Sequence, residues 1–148
     1  MKSSLFSRKD SSVKIIEQYS INKLTQNGKT YLLRFNKWLW NIAGEEDYPF
    51  QVGFATKLKT NNNGFPDKNE NLSLTKIEDL LINKLEKVAI FAGTITGGGI
   101  KEFVFYARFS DEVTSIYEKL RKAIKDYDLQ CIIKKDPTWE VFKRYCPK

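Results

Sequence analysis

The sequence predicts an α+β fold: a ferredoxin-like βαββαβ antiparallel sheet of four strands, with two helices on one face, preceded by an N-terminal β-hairpin. Three observations lead there. Val88 to Phe109 holds two runs rich in β-branched and aromatic residues, joined by Gly97-Gly98-Gly99. Glycines accept the positive φ of a tight hairpin turn, so this stretch reads as a central hairpin. Val113, Ile116, Tyr117, Leu120, Ile124 and Tyr127 recur at i, i+3, i+4, i+7 spacing, the apolar stripe of a helix. From Pro49 onward the patterns follow the order strand, helix, strand, strand, helix, strand, which is the split β-α-β arrangement.

The chain has 148 residues, 41% of them hydrophobic and 14% aromatic, which suits one globular domain with its own core. The expected organisation is a disordered basic arm at 1–12 and a single domain over 13–148. Within that domain, 13–48 is a hairpin extension that either lengthens the sheet or covers its open face, and 49–148 is the ferredoxin-like core. No apolar stretch matches a signal peptide or a membrane span, so the expected location is cytoplasmic.

The N-terminal hairpin is read from Val13 to Thr25, then the turn pair Asn27-Gly28, then a strand from Lys29 to Trp40. That strand sets Tyr31, Leu33 and Phe35 on one face and Leu32, Arg34, Asn36, Trp38 and Trp40 on the other. Asn41 to Tyr48 is a loop, and a strand follows from Phe50 to Lys59. Thr60 to Asn71 is dense in turn formers and reads as the most mobile segment inside the domain. Thr75 with Glu78 three residues later fits a capping box, with Ser73 as the other possible start, and Ile77, Leu80, Leu81, Leu85 and Val88 supply the stripe of this first helix. In the central hairpin, a turn at Gly97-Gly98 would set Ile90 opposite Phe105 and Ala92 opposite Phe103; a three-residue loop would shift the pairing. Ser110 is read as the cap of the second helix, and Leu129 to Lys134 as the last strand. Asp136-Pro137 then opens a final short helix, with Asp as cap and Pro in the first turn. Trp139, Phe142 and Tyr145 share its packing side. Phe91, Phe103, Phe105, Ile116 and Leu120 are the expected centre of the core.

Composition excludes more function classes than it selects. The absence of histidine removes Ser-His-Asp and Cys-His catalysis and the commonest zinc and iron ligand sets. No catalytic, cofactor-binding or metal-binding constellation is expected, and no cofactor. Glu45, Glu46 and Asp47 read as a solvated acidic loop, because adjacent carboxylates point apart. Gly97-Gly98-Gly99 lacks the strand–loop–helix context of a phosphate loop and reads as a turn. Of the two cysteines, Cys131 falls in an apolar run and reads as a buried thiol, whereas Cys146 reads as the more exposed; no disulfide is expected between them. The net charge is +7, and residues 1–40 alone carry eight basic against two acidic side chains. Such a balance points to a negatively charged partner, either an acidic protein face or nucleic acid.

One face of the strand ending at Trp40 carries Arg34, Trp38 and Trp40. Arginine and tryptophan are frequent interface anchors, so these three are the candidate partner-binding residues. The function expected from the residues is a non-catalytic protein-binding module that blocks its partner, most concretely an immunity protein, antitoxin or enzyme inhibitor. The partner would be a toxin or enzyme with an acidic face. A small basic nucleic-acid-binding module is the alternative, and a carboxylate-dependent hydrolase the third reading.

Several motifs also carry a likeness. Gly98-Gly99, the run Glu102-Phe103-Val104-Phe105-Tyr106, Asp136-Pro137-Thr138-Trp139, Pro147 and the Tyr48-Pro49 step resemble a bacterial family known as domain of unknown function 695, over about residues 30–147. The resemblance implies an α+β, ferredoxin-like fold and no established activity.

Overall fold

The computed structural model describes residues 14–148; the expected basic arm at 1–12 and Val13 lie outside the described residues. The elements are β1 (Tyr19–Gln26), β2 (Lys29–Asn36), a 3-10 turn (Lys37–Asn41), β3 (Phe50–Lys57), α1 (Lys68–Leu85), β4 (Ala89–Gly97), β5 (Ile100–Ala107), α2 (Ser110–Ala123), β6 (Gln130–Lys135) and α3 (Glu140–Tyr145). One six-stranded sheet runs in the order β1-β2-β4-β5-β3-β6, with every neighbouring pair antiparallel. The N-terminal hairpin therefore lengthens the sheet by pairing β2 with β4, and the sheet has six strands where the βαββαβ core alone has four.

Both sheet faces are covered, but by different layers. Val52, Phe54, Phe103 and Phe105 pack with Leu74, Ile77, Leu81 and Leu85 of α1 and with Val113 and Leu120 of α2. Phe91 and Ile116, expected at the centre, are partly buried against this cluster rather than inside it. On the opposite face, Leu33, Phe35, Ile90, Val104 and Tyr106 lie under Leu39, Trp139 and Phe142. Burying each such side chain contributes roughly 1.5–3 kcal/mol. Among the described residues no helix is long and apolar enough to cross a membrane.

Local chemistry moved several boundaries. Asn27 and Gly28 take φ values of 54° and 77°, the left-handed pair that closes a two-residue hairpin. β1 starts only at Tyr19, and β2 ends at Asn36 rather than Trp40. There the Asn36 side-chain oxygen accepts from the backbone N–H of Trp38 and of Gln18, which turns the chain out of the sheet into the 3-10 turn. α1 begins at Lys68, seven residues before the expected Thr75 cap. Asp67 is the N-cap and accepts from the Glu70 N–H at 2.8 Å, while the Thr75 hydroxyl donates back to the Asn71 carbonyl. α2 starts at Ser110 itself, so Phe109 holds the cap position without a side-chain bond. The central turn is Gly98-Gly99, with Gly97 opposite Ile100. That turn sets Thr94 opposite Phe103, and a bulge between Phe91 and Gly93 then sets Phe91 opposite Phe105; the Ile90–Phe105 and Ala92–Phe103 pairs that a Gly97-Gly98 turn would give do not form.

The β2–β4 seam tests the six-stranded arrangement. A Cβ on Gly93 would collide with the Arg34 carbonyl oxygen and come within 2.7 Å of the Phe35 Cα, both backbone atoms. Gly93→Ala is expected to cost about 3 kcal/mol or more in urea denaturation, because neither strand can yield without breaking the pairing. Gly28→Ala, in open space at φ 77°, should cost only about 1 kcal/mol.

Candidate functional site

Residues directly opposite on antiparallel strands share a face. On the helix side of the sheet this alignment yields two rows. One runs Ile21, Arg34, Thr94, Phe103, Phe54; the next runs Lys23, Leu32, Thr96, Lys101, Thr56. The first row is apolar under the helices, at Phe103 and Phe54, and turns polar at Thr94 and Arg34, whereas the second is polar at Thr96, Lys101 and Thr56. A groove of about 280 Å³ opens at that polar end, with Ile21, Leu32, Arg34, Thr94, Thr96 and Lys101 on the sheet side and Phe65, Pro66 and Asn71 on the wall leading into α1.

The groove is electrostatically built. Arg34 Nη2 donates to Glu78 Oε1 at 2.6 Å, and its guanidinium carbon stands 4.8 Å from the centre of the Tyr19 ring. Burial pushes the Tyr19 phenol up to about 12, partly opposed by Arg34. Lys101 is held below the usual lysine range, first by burial, with Glu78 opposing and Arg34 reinforcing the effect. Its ammonium makes no ion pair with a carboxylate among the described residues and lies 5.9 Å from the centre of the Phe103 ring. Thr94 and Thr96 are 2% and 7% exposed, and neither hydroxyl has a hydrogen-bond partner among the described residues.

The three residues singled out from the sequence do not meet. Arg34 lines the groove. Trp38 and Trp40, carried off the strand by the 3-10 turn, are half-buried against the core on the opposite face. The Trp40 indole N–H donates to the Cys146 carbonyl at 2.7 Å, and its ring packs on Phe142. Lys101, Thr94, Thr96 and Glu78 escaped the sequence reading. The available signal was Thr94-x-Thr96 and Lys101 breaking apolar strands at alternate positions, a polar stripe on a face that should be core. Glu45, Glu46 and Asp47 are exposed, and among the described residues no group of three acidic or thiol side chains could hold a metal ion. Both cysteines are free; Cys146 is fully buried in the second core rather than exposed, and burial raises both thiols, Cys131 to about 11.

Two buried carboxylates hold the frame around the groove. The Tyr106 hydroxyl donates to Asp136 Oδ2 at 2.7 Å and accepts from the Phe142 N–H. Asp136 also accepts from the N–H groups of Glu140 and Val141. Asp136 thus caps α3 from a distance. The N-cap position itself falls on Trp139, in the left-handed region at φ 61°, and Pro137 stays outside the helix, contrary to the expected Asp-cap, Pro-first-turn arrangement. The Trp139 ring stacks on Tyr106 at 4.0 Å, and its indole N–H donates to the Tyr48 carbonyl. Burial, then the bond to Asp136, pushes the Tyr106 phenol far above its ordinary range. Glu70, 5% exposed, accepts from the Lys59 N–H, the Thr60 N–H and hydroxyl, and the Tyr127 hydroxyl. Burial alone would raise this carboxyl, but the four bonds overcome it and hold it down to about 2. These bonds, with the Gly99 N–H donating to the Gly64 carbonyl, pin the loop that the sequence reads as mobile.

Fold and site together define an α+β protein whose six-stranded antiparallel sheet carries a polar groove at one end. A model of the family of unknown function DUF695 matches residues 19–146, and the chain belongs to that family. The match takes in the N-terminal hairpin that forms one wall of the groove. No curated protein and no solved structure matches the chain.

Asp136→Ala removes the acceptor of three donors and leaves a buried tyrosine hydroxyl unpaired; a loss of about 3 kcal/mol is expected in urea denaturation, against about 1 kcal/mol for Tyr106→Phe. The Glu70 contribution has a defined pH sign. Its folded-state value of about 2 lies below the ordinary 4.5, so this stabilisation is complete above pH 4.5 and is lost as the pH falls through 2. The urea midpoint should drop across that window, and Glu70→Gln should flatten the drop.

Proposed function

We propose that this protein acts by binding another protein and blocking it, as an immunity protein, antitoxin or enzyme inhibitor does, in the bacterial cytoplasm. The observation that carries the reading is the groove beside the N-terminal hairpin. Ile21, 68% exposed, is paired with Arg34 and lines the same groove as Lys101, so an apolar anchor and two cations are presented together. That combination suits a protein surface with an acidic patch, which charge would steer into place before apolar contact closes. The strand order β4-β5-β3-β6, with α1 joining β3 to β4 and α2 joining β5 to β6, supports reading residues 49–148 as a ferredoxin-like core to which the hairpin adds the binding edge.

The test is co-expression with the product of the adjacent gene. The expected outcome is that wild-type protein relieves growth inhibition by that product and co-elutes with it. Ile21→Asp, a change at an exposed position, should abolish both while leaving the circular dichroism unchanged. No protection and no complex would overturn the reading. Tight, steeply salt-dependent binding to labelled RNA or DNA would instead favour the nucleic-acid alternative that the +7 charge also permits.

A further inference from the structure

We infer that the groove seats a carboxylate carried by an extended segment of the partner protein, held between Lys101 and Arg34 and hydrogen-bonded by the hydroxyls of Thr94 and Thr96. The inference rests on the partner-binding reading and gives the contact its chemistry. Three features of the groove select this occupant.

The first is charge. Arg34 is matched by Glu78 at 2.6 Å, whereas Lys101 has no carboxylate of its own. The groove therefore carries two cations against one anion. A cationic group entering it would be repelled, and an apolar one would strand the Lys101 ammonium away from water. A carboxylate completes the set.

The second is the pair of threonines. Neither hydroxyl is committed to another group among the described residues, so both can donate to a ligand that enters the groove. Thr94 and Thr96 stand two residues apart on β4, so both hydroxyls point to the same side, between Arg34 on β2 and Lys101 on β5. Their two O–H donors can converge on one carboxylate, which accepts several bonds.

The third is preorganisation. Glu78 and the Tyr19 ring hold the guanidinium of Arg34 in place before any ligand arrives, so little ordering remains to be done on binding. Ile21, Leu32 and Phe65 supply apolar walls for the residues flanking the acid, which favours a peptide segment over a bare anion.

The experiment is a titration of the 15N-labelled full chain with acetyl-Val-Glu-Val-Glu-Val-amide, with the same peptide carrying Gln for Glu, and with inorganic phosphate. The expected result is amide shifts at Thr94, Thr96 and Lys101 with the Glu peptide and at least about tenfold weaker binding of the Gln peptide. Lys101→Met should weaken the Glu peptide by about tenfold, while Lys57→Met, outside the groove, should change it by less than about twofold. Thr94→Val with Thr96→Val keeps the side-chain shape and should also weaken it, and an otherwise unchanged spectrum certifies that each variant is folded. Equal binding of the two peptides, shifts centred elsewhere, no shifts at all, or phosphate binding as tightly as the Glu peptide would each overturn the inference. If Lys101→Met still protects against the neighbouring gene product as well as wild type does, the carboxylate seat fails and the blocking function stands; if wild-type protein gives no protection, it is the function that fails.

Discussion

The hydrogen bond from the Tyr106 hydroxyl to Asp136 is the contact on which the second half of the core depends. Tyr106 is fully buried in the middle of the sheet, so its hydroxyl needs an acceptor that water cannot supply. Asp136 provides it and spends its remaining capacity on the first amides of α3. A helix of six residues is too short to hold itself together, so its position is set by this carboxylate and by the packing of Phe142. The Asp136 N–H meanwhile donates to the Pro49 carbonyl and the Trp139 indole to the Tyr48 carbonyl, which fixes the entry to β3. One tyrosine, one aspartate and one tryptophan thereby join the centre of the sheet, its covering helix and the start of β3. The Tyr48-Pro49, Phe103-to-Tyr106 and Asp136-to-Trp139 motifs, scattered along the sequence, are parts of this single arrangement.

The groove is a by-product of adding two strands to a sheet without adding a third helix on the same side. α1 and α2 cover β3, β5 and β6, where the inward residues are phenylalanine and valine. β1 and β2 extend past that cover, and where Arg34 of β2 meets Thr94 and Thr96 of β4 and Lys101 of β5 the inward residues become polar. Position and composition change together, which is why the polar stripe costs the core nothing. Glu70 closes the other side of the same region. By gathering donors from Lys59, Thr60 and Tyr127 it holds the loop that leads to Phe65 and Pro66, and so holds one wall of the groove.

The strands, the two long helices and their order were legible because period-2 and period-3.6 patterns are local, as in the Val113 to Tyr127 stripe. The Asn27-Gly28 turn was legible for the same reason. What was not legible depended on contacts across the fold. Lys29 to Trp40 reads as one unbroken strand, and only the Asn36 side chain reaching Gln18 and Trp38 shows why it stops early. The α1 start was missed because Thr75 and Glu78 make a good local capping pair, while Asp67 with Glu70 makes another whose glutamate is committed to the loop. The register of the central hairpin turned on which two of three glycines close it and on a bulge at Ala92, and no local pattern marks either. Arg34 could be chosen for its chemistry, but its neighbours in the groove come from β4, β5 and α1. Nothing in the spacing of Thr94, Thr96, Lys101 and Glu78 announces that they converge.

Trp139 combines two demands that no other side chain meets at once. Its backbone sits where glycine or asparagine would be relaxed, at φ 61° and ψ 44°, which costs a non-glycine residue about 1–3 kcal/mol. Its indole is the largest fully buried side chain among the described residues. Glycine would relieve the main chain and leave an indole-sized hole; asparagine would suit the main chain and bury an amide beside aromatic rings. Both exchanges therefore trade a small relief for a larger loss, so the strained main chain at this position is locked in place by the side chain packed beneath it.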